Sequence, residues 1–417
     1  MSPQAVNGGP QPRRRSDDGM ALAIVVGMTA ILFILSTMLL SLTVYQSTAS
    51  QRVVARVQAF NIADAGVNAY LYELRHDPDY YVTTPTLIAR TREGSWTVTA
   101  SPPSATQPYL TLRSLGSLTS REASRVVIAT VRFPTFADYM FLEDCDIGIG
   151  SGALVNGKVH SNHNVSNSGR ITGLATAYGS FSNGSSGRTD QGFLQGPTNV
   201  AYVPFNDVKA VMDEMKAIAE RSGARGYAGP AAAGKQGYEI VISGTTYVRK
   251  TVTGFTSNGY SVATDGVTYA LPTAGILYFD DDIWVRGSYG LSLTIASSAN
   301  IYIVGNLQPA SAGSNTTLGL IAENNVSVPG QYTVVPDTML VQAALLARTG
   351  SVTSTSGSRQ KASLTINGSL ADMQYGVFSG AFARRTYTYD SRLDLYPPPM
   401  YPAVHTDSLK VQSWVER

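Results

Sequence analysis

One apolar stretch near the start of the chain, residues 20–51, constrains the fold more than any other feature, because it carries no charged side chain. An α-helix rises about 1.5 Å per residue, so about 20 residues cross the hydrocarbon core of a bilayer. The stretch therefore predicts a membrane-spanning helix. Three arginines, Arg13–Arg15, precede it. They predict a cytoplasmic N-terminus and a single-pass protein whose bulk is extracytoplasmic.

Three kinds of segment have this general pattern. A signal peptide has a shorter apolar core and a cleavage site with small residues, and no such site precedes Arg52. A plain signal anchor fits the hydropathy. A prepilin leader also fits: the basic leader, residues 1–19, would be cut off after Gly19, and Met20 would begin the mature protein.

The following segment, residues 52–75, favours the third alternative. Apolar side chains recur there every seven positions: Val53, Phe60, Val67 and Leu74. This spacing predicts an amphipathic helix. No proline interrupts residues 20–75, so we expect one continuous helix over residues 20–76 that can pack against similar helices.

Two short motifs resemble the N-terminal region of PilX-type minor pilins. They are Gly19-Met20-Ala21-Leu22 before the apolar run, and residues 59–66, which read AFNIADAG. The resemblance covers about residues 10–76. It implies cleavage between Gly19 and Met20 by prepilin peptidase, N-methylation of Met20, storage in inner-membrane lipid and assembly with other pilins or minor pilins through the helix.

Ile24 departs from the pattern of the main filament subunits. It stands at the fifth position of the mature chain, where type IV pilins usually carry glutamate. The resemblance therefore implies a low-copy subunit or one at the pilus tip. The residues expected to act in helix assembly are Ile24, Val53, Phe60, Val67 and Leu74.

Charge and cysteine content limit the remaining possibilities. Lys and Arg number 31 against 29 Asp and Glu, which gives a net charge of +2 and no electrostatic case for a nucleic-acid partner. Charged residues make up only 14% of the chain, which suits an extracellular β-rich surface. Cys145 is the single cysteine. An internal disulfide is excluded, and we expect a buried apolar side chain, with an intermolecular disulfide as the alternative.

After the break at Pro78, the pattern changes to one of alternating residues. Three segments alternate apolar and polar side chains: residues 95–100, 109–114 and 125–131. They predict a small antiparallel sheet over residues 77–133, packed on the amphipathic helix. The expected fold class is therefore α+β.

Residues 134–417 predict a large, mainly β domain. Short aliphatic runs alternate with glycine and asparagine, for example ILYF at 276–279 and IYIVGN at 301–306. We predict an irregular right-handed β-solenoid, with a β-sandwich as the alternative. This region resembles uncharacterised β-helical domains that follow PilX-type leaders. A helix is expected near 206–222, and the Tyr- and Pro-rich tail, 384–417, is expected to cover an open end with Trp414 as its anchor. A carbohydrate-stacking platform is the alternative for the tail.

No pattern of chemically reactive residues stands out. His160 and His163 are spaced for two zinc ligands, and Cys145 or Asp146 could supply a third, but nothing in the sequence brings them together. Residues 280–282 are three aspartates without the spaced oxygen ligands of a calcium loop. We therefore expect no catalytic residue, cofactor or metal.

Two functional hypotheses follow. The first is a minor pilin-like subunit of a type IV pilus or pseudopilus that displays its β domain at the tip or cell surface, for adhesion or assembly priming. A surface glycan or a host ligand would then be its external partner. The second is a membrane-anchored β-helix enzyme or binding protein that acts on polysaccharide, although no pair of acid–base carboxylates is recognisable. A self-polymerising scaffold would need no cleavable leader.

Overall fold

The computed structural model describes residues 18–103, 109–119, 122–355, 360–374, 381–404 and 409–416. Helix α1 has 59 residues and is about 90 Å long at 1.5 Å per residue, which confirms the predicted continuous helix. The α-helices of the described residues are α1 Asp18–His76, α2 Tyr80–Thr83, α3 Val208–Arg221 and α4 Arg392–Leu395. Single turns of 3₁₀ helix cover Phe136–Asp138, Phe205–Asp207 and Gly223–Arg225.

The strands fall into three groups along the chain. The first group is β1 Thr86–Arg90, β2 Gly94–Ser101, β3 Leu110–Leu118 and β4 Ser124–Arg132. The second is β5 Phe141–Glu143, β6 Ile147–Ile149, β7 Leu154–Asn156, β8 Val159–Ser161, β9 Val165–Asn167, β10 Arg170–Ile171, β11 Ala175–Ala177, β12 Phe181–Asn183, β13 Arg188–Thr189 and β14 Phe193–Gln195. The third is β15 Tyr227–Ala228, β16 Gly237–Gly244, β17 Thr246–Thr256, β18 Gly259–Val262, β19 Val267–Ala270, β20 Ile276–Phe279, β21 Ile283–Tyr289, β22 Leu293–Ser297, β23 Ile301–Pro309, β24 Leu318–Ala322, β25 Val326–Pro329, β26 Thr338–Val341, β27 Ala344–Ala347, β28 Val352–Thr355, β29 Lys361–Asp372, β30 Phe382–Tyr389 and β31 Lys410–Glu416.

The small sheet is antiparallel throughout, in the order β1-β2-β3-β4-β31. Alternation along β2 and β3 turns Trp96, Val98 and Leu112 inward, and the C-terminal part of α1 covers this face. The prediction of a small antiparallel sheet under the helix is therefore confirmed. We refer to residues 52–76 of α1 together with these five strands as the small-sheet unit.

The second group of strands winds into coils stacked in parallel. Phe141 pairs with Val159, Val159 with Ala175 and Ala175 with Phe193, so successive coils take 18, 16 and 18 residues. Each coil gives one strand to each of three parallel ladders. These are β5-β8-β11-β14 (ladder one), β6-β9-β12 (ladder two) and β7-β10-β13 (ladder three). The predicted mainly β domain is confirmed, and its strands stack as in a solenoid. The handedness of the coil stays a prediction.

Most strands of the third group extend the same stack from its other side. The exceptions are β17, which pairs antiparallel with β16, β18 and β19, and β31, which joins the small sheet. Strands β20, β22, β24, β27 and β29 continue ladder one. Asp372 at the end of β29 then pairs in parallel with Glu143 of β5, and β30 pairs with β7. The last coils of the chain thus stack on the first ones, and we call this junction the seam. The order of coils in space therefore differs from their order in the sequence.

Helix α3 connects β14, the last strand of the second group, to β15, the first strand of the third group. It runs along the outside of ladder one. Its buried residues Val208, Met212, Met215 and Ala219 lie in one apolar cluster with outward residues of the ladder such as Ile276 and Leu346. Alternate residues such as Leu277 and Leu345 point into the inner core. The ladder is buried on both faces, which explains its continuous aliphatic runs.

The chain enters and leaves the solenoid at one place, the neck (residues 132–138 and 402–404). Thr135 and Ala403 form an antiparallel bridge. Arg132 donates two hydrogen bonds to the carboxylate of Asp138, at 2.7 and 2.6 Å, and both side chains are buried. Lys410 also pairs with Asp138, and its Nζ donates to Asp394 at 2.9 Å. The solenoid is therefore an insertion between β4 and β31, fixed at its base by a buried ion cluster.

The tail differs from the expected cover over an open end. Residues 382–389 form strand β30 of the solenoid, and residues 410–416 form β31, which places Trp414 opposite Ala129 in the small sheet. The physical reason is the free edge of β4, whose unpaired backbone groups accept one more strand. The Pro397–Pro399 run does cover the solenoid, but along its side: Thr294 donates a hydrogen bond to the carbonyl of Pro399 at 2.6 Å.

Candidate functional site

The N-terminal part of α1 is an apolar surface that no other element of the described chain covers. Its large side chains are half to three-quarters exposed; Leu22 is 67% and Ile24 is 58% exposed. Residues 52–76 behave differently, because every third or fourth side chain there is buried on the small sheet: Ala59, Ala63, Val67, Tyr70 and Leu74. One helix thus has a free apolar half and a half that belongs to a folded unit.

Several hydroxyl groups in the free half are satisfied within the helix. Ser36 donates to the carbonyl of Leu32 at 2.8 Å, and Thr43 donates to that of Leu39 at 2.8 Å. The side chains of Thr29, Thr37 and Thr48 make the same kind of bond three or four residues back. Hydroxyls bonded in this way need no water, so this surface suits lipid or other apolar helices.

Close contacts fix the buried half on the sheet. Gly116 of β3 lies directly against the helix, and a Cβ there would collide with the backbone of Ala59 and Ala63. The Tyr70 hydroxyl donates to the carbonyl of Thr84 at 2.7 Å. The helix therefore cannot slide along the sheet without breaking these contacts, and the free half projects from a rigid base.

The residues predicted from the sequence divide between the two halves. Gly19 and Met20 lie at the start of α1. Ile24 and Val53 are exposed, each by 58%. Phe60 is half-buried against the sheet. Val67 and Leu74 are fully buried, so within a subunit they hold the helix to its own sheet. Their part in assembly, like cleavage at Gly19, stays a prediction.

By length and composition, α1 is the one helix in the described part of the chain that could cross a membrane. A signal sequence near an N-terminus would pass the same test. A single-pass membrane protein is therefore plausible, and the orientation in the membrane remains the expectation drawn from Arg13–Arg15.

The histidines do not form the zinc site considered from the sequence. His160 is buried, and its ring nitrogens contact Thr176 at 2.9 Å and Asn162 at 3.1 Å. Burial lowers the pKa of His160 below its ordinary value. His163 is more than half exposed, 3.9 Å from Asp144. Both ring nitrogens of His160 are thus already engaged, as expected of a structural polar residue.

The three aspartates at 280–282 are likewise engaged by protein groups. Asp280 accepts hydrogen bonds from Lys216 at 2.6 Å and from the Tyr227 hydroxyl at 2.5 Å. Asp281 accepts from the amide of Ala231, and Asp282 from Asn300, both at 2.9 Å. They order the loops around α3 and the coil corner.

A different cluster forms at the seam. One ligand atom from each of Glu143, Cys145 and Asp372 lies within 4.8 Å of the others. Sequence reasoning missed this cluster because Asp372 is distant in the chain and only the pairing of β29 with β5 brings it there. The sequence neighbours of each residue give no indication that the three side chains meet.

Comparisons with known proteins give only weak structural likenesses. No family model matches the chain, and no curated protein matches it. Among solved structures, the competence-associated pilin ComZ from Thermus thermophilus is similar with a TM-score of 0.34 and 14% identity, over 87% of this chain and 97% of that one. An ice-binding protein from the Antarctic ascomycete Antarctomyces psychrotrophicus is similar with a TM-score of 0.25 and 9% identity, over 61% of this chain and 95% of that one. Both TM-scores are low, so neither likeness bears on function.

Proposed function

We propose that this chain is a minor pilin-like subunit of a type IV pilus or related pseudopilus. The division of α1 carries the proposal: residues 20–51 are uncharged and mostly apolar, with exposed side chains from Leu22 onward, whereas residues 52–76 are built into the small-sheet unit. A long apolar N-terminal helix fixed on a small antiparallel sheet fits a pilin. An anchor alone would not require a helix that continues into the folded head.

The length of the free half supports the same proposal. About 20 residues are enough to span a bilayer, and the uncharged stretch is longer, from Met20 to Gln51. Its additional turns, residues 41–51, stay uncharged and, in a filament, would pack against the helices of neighbouring subunits. The membrane would store the subunit before assembly.

Ile24 supports a minor role for the subunit. Type IV pilins usually carry glutamate as the fifth mature residue, and here that position is an exposed isoleucine. A low-copy subunit at the tip would then display the solenoid outward, with a surface glycan or host ligand as its partner. In this position the protein would have a structural and adhesive role and no catalytic step.

Amino-terminal mass spectrometry tests the first step. Full-length protein co-expressed with prepilin peptidase should begin at Met20. Gly19→Leu places a bulky side chain at the cleaved bond, so this variant should keep its leader. Gly9→Leu, in the same leader but away from the cleaved bond, should be processed normally. Wild-type protein that is never cut between Gly19 and Met20 would contradict the proposal.

Cysteine cross-linking tests assembly. Cys145→Ser removes the native thiol, and Val25→Cys then places a single thiol on the exposed half of α1. Cross-links to other pilins should form from this position in assembled fibres. The matched control, Phe193→Cys on the exposed surface of the solenoid, should give none. Cross-links confined to the control, or no incorporation into fibres, would overturn the assembly role.

A further inference from the structure

Two carboxylates and a thiol meet at the seam of the solenoid. The parallel register sets Asp372 of β29 opposite Glu143 of β5. Cys145 follows in the turn after β5, and its thiol donates to Glu143 Oε2 at 3.5 Å. Side chains from the beginning and the end of the solenoid therefore meet at one point.

Both carboxylates are buried without a basic partner. Glu143 is 8% and Asp372 is 3% exposed, and no ion pair to either is present among the described residues. Oδ2 of Asp372 accepts the amide of Val352 at 2.9 Å, whereas Oδ1 is buried and has no hydrogen-bond partner. A buried carboxylate oxygen without a donor is costly, and this one is available to a ligand.

The electrostatics of the cluster agree with this geometry. Burial raises the pKa of Glu143 to about 7. Burial, and then the neighbouring charge of Glu143, raises the pKa of Asp372 well above its ordinary value. The two carboxylates lie close together and buried without a basic partner, and a cation between them would balance their charge.

We propose that Glu143, Cys145 and Asp372 bind one divalent cation, and that zinc is the ion that suits them. Zinc accepts thiolate and carboxylate ligands together, whereas calcium and magnesium prefer oxygen alone. At ordinary zinc–ligand lengths, the ligand atoms lie about 3.5 Å apart. The ligand atoms of Glu143, Cys145 and Asp372 approach this arrangement, so small side-chain rotations complete it. Cys145 is only half-buried, which leaves a path from solvent and a fourth position for water.

The ion would join the two halves of the solenoid. Asp372 ends the last strand of ladder one, and Glu143 and Cys145 begin the first coil. Zinc bound here would act only on the folded protein, because the ligands are far apart in an unfolded chain, and it would therefore raise thermal stability.

Metal binding by the full-length protein in detergent micelles tests the proposal. After chelator treatment and dialysis, wild-type protein should take up one zinc ion per chain and melt several degrees higher with zinc. Co²⁺ in place of zinc should produce a thiolate-to-cobalt charge-transfer band in the near ultraviolet. Cys145→Ser should abolish this band.

Variants of the ligands identify the site. Cys145→Ser, Glu143→Gln and Asp372→Asn should each weaken zinc binding by at least about a hundredfold, since even outer-shell changes cost roughly 10- to 100-fold. Asp146→Asn is the matched control: its carboxylate is next to Cys145 but lies outside the cluster, where it accepts from the amide of Asn164 at 3.0 Å. It should bind like the wild type.

The variants also separate loss of binding from loss of folding. Asp372→Asn removes a buried charge, so its melting temperature without zinc should be equal to or higher than that of the wild type. Wild-type protein that takes up no zinc would overturn the proposal and leave a proton shared by the two carboxylates. Zinc uptake unchanged in all three variants would overturn it equally, because the ion would then lie elsewhere.

Discussion

The small-sheet unit and the solenoid bury their strands by different means. In the small sheet, one face of five antiparallel strands rests on α1, and Gly116 lets the helix approach its backbone. In the solenoid, parallel coils enclose their own core, and α3 covers only the outside of ladder one. The first unit therefore depends on a single helix–sheet interface, whereas the second distributes its stability over many similar coils.

The comparison predicts that the two units respond separately to core mutations and together to mutations in the neck. Hydrogen–deuterium exchange of the full-length protein, read segment by segment, distinguishes these cases, because it reports local and global opening in the same sample.

Asp138→Ala should have the largest effect. It leaves Arg132 buried without its carboxylate and also removes a partner of Lys410. Breaking a buried pair costs about 3–5 kcal/mol, and exchange should increase in both units. Asp190→Ala is the control, since Asp190 pairs with two arginines that are mostly exposed, Arg170 and Arg188. It should have a much smaller effect, and an equal loss in both variants would argue against the neck as the coupling point.

Leu345→Ala should destabilise the solenoid. Leu345 is fully buried in the inner core, and Leu→Ala at such sites costs about 2–5 kcal/mol. Denaturant unfolding should show the loss, and faster exchange should be confined to the coils. Leu395→Ala, at an exposed leucine, should change little. Equal acceleration in the small-sheet unit would show that the two units unfold as one.

Gly116→Ala should destabilise the small-sheet unit instead. The added methyl group would press on the backbone of α1 at Ala59 and Ala63, and overpacking of this kind costs about 1–3 kcal/mol. Exchange should rise in α1 and β3 but not in the coils. Gly148→Ala, where a Cβ meets nothing within 4 Å, is the matched control. If it is as harmful as Gly116→Ala, close packing is not the reason.

Lowering the pH should destabilise the neck, and this loss of stability should be smaller and more gradual than the effects of the mutations. Burial alone would raise the pKa of Asp138, but the hydrogen bonds and charges of Arg132 and Lys410 outweigh it and hold the pKa below its ordinary value. The folded state thus binds this proton less readily than the unfolded state. The stabilisation is complete above the unfolded pKa of about 3.9 and is lost as pH falls through the lower folded value.

Unfolding curves measured at a series of pH values check this sign. The difference in stability between the wild type and Asp138→Asn should be constant near neutral pH and should shrink below about pH 4. A difference that grows with acid would mean that Asp138 is protonated in the folded protein.

Local patterns were sufficient to predict the elements of the small-sheet unit. The seven-residue recurrence of Val67 and Leu74 and the alternation of residues 95–100 each report which side of an element is buried. The return of residues 410–416 to β4 was not predictable in this way. Its short amphipathic pattern fits any free sheet edge, and only the three-dimensional path makes the edge of β4 available.

The solenoid shows more clearly what local sequence patterns cannot predict. Its short aliphatic strands were recognisable, yet their order in space was not, because Val155 pairs with Tyr387 as well as with Ile171. The cluster of Glu143, Cys145 and Asp372 depends on that order. Each of these residues looks ordinary beside its sequence neighbours, and the juxtaposition follows only from the seam.

The antiparallel bridge between Thr135 and Ala403 has a mechanical consequence. Because the incoming and outgoing segments of the inserted domain run side by side, a pulling force on that domain is shared between two covalent paths. Both paths lead into the adjacent strands β4 and β31, which are hydrogen-bonded to each other along their length. A pulling force would load several of these hydrogen bonds in shear at the same time, so the solenoid would resist being detached from the small-sheet unit.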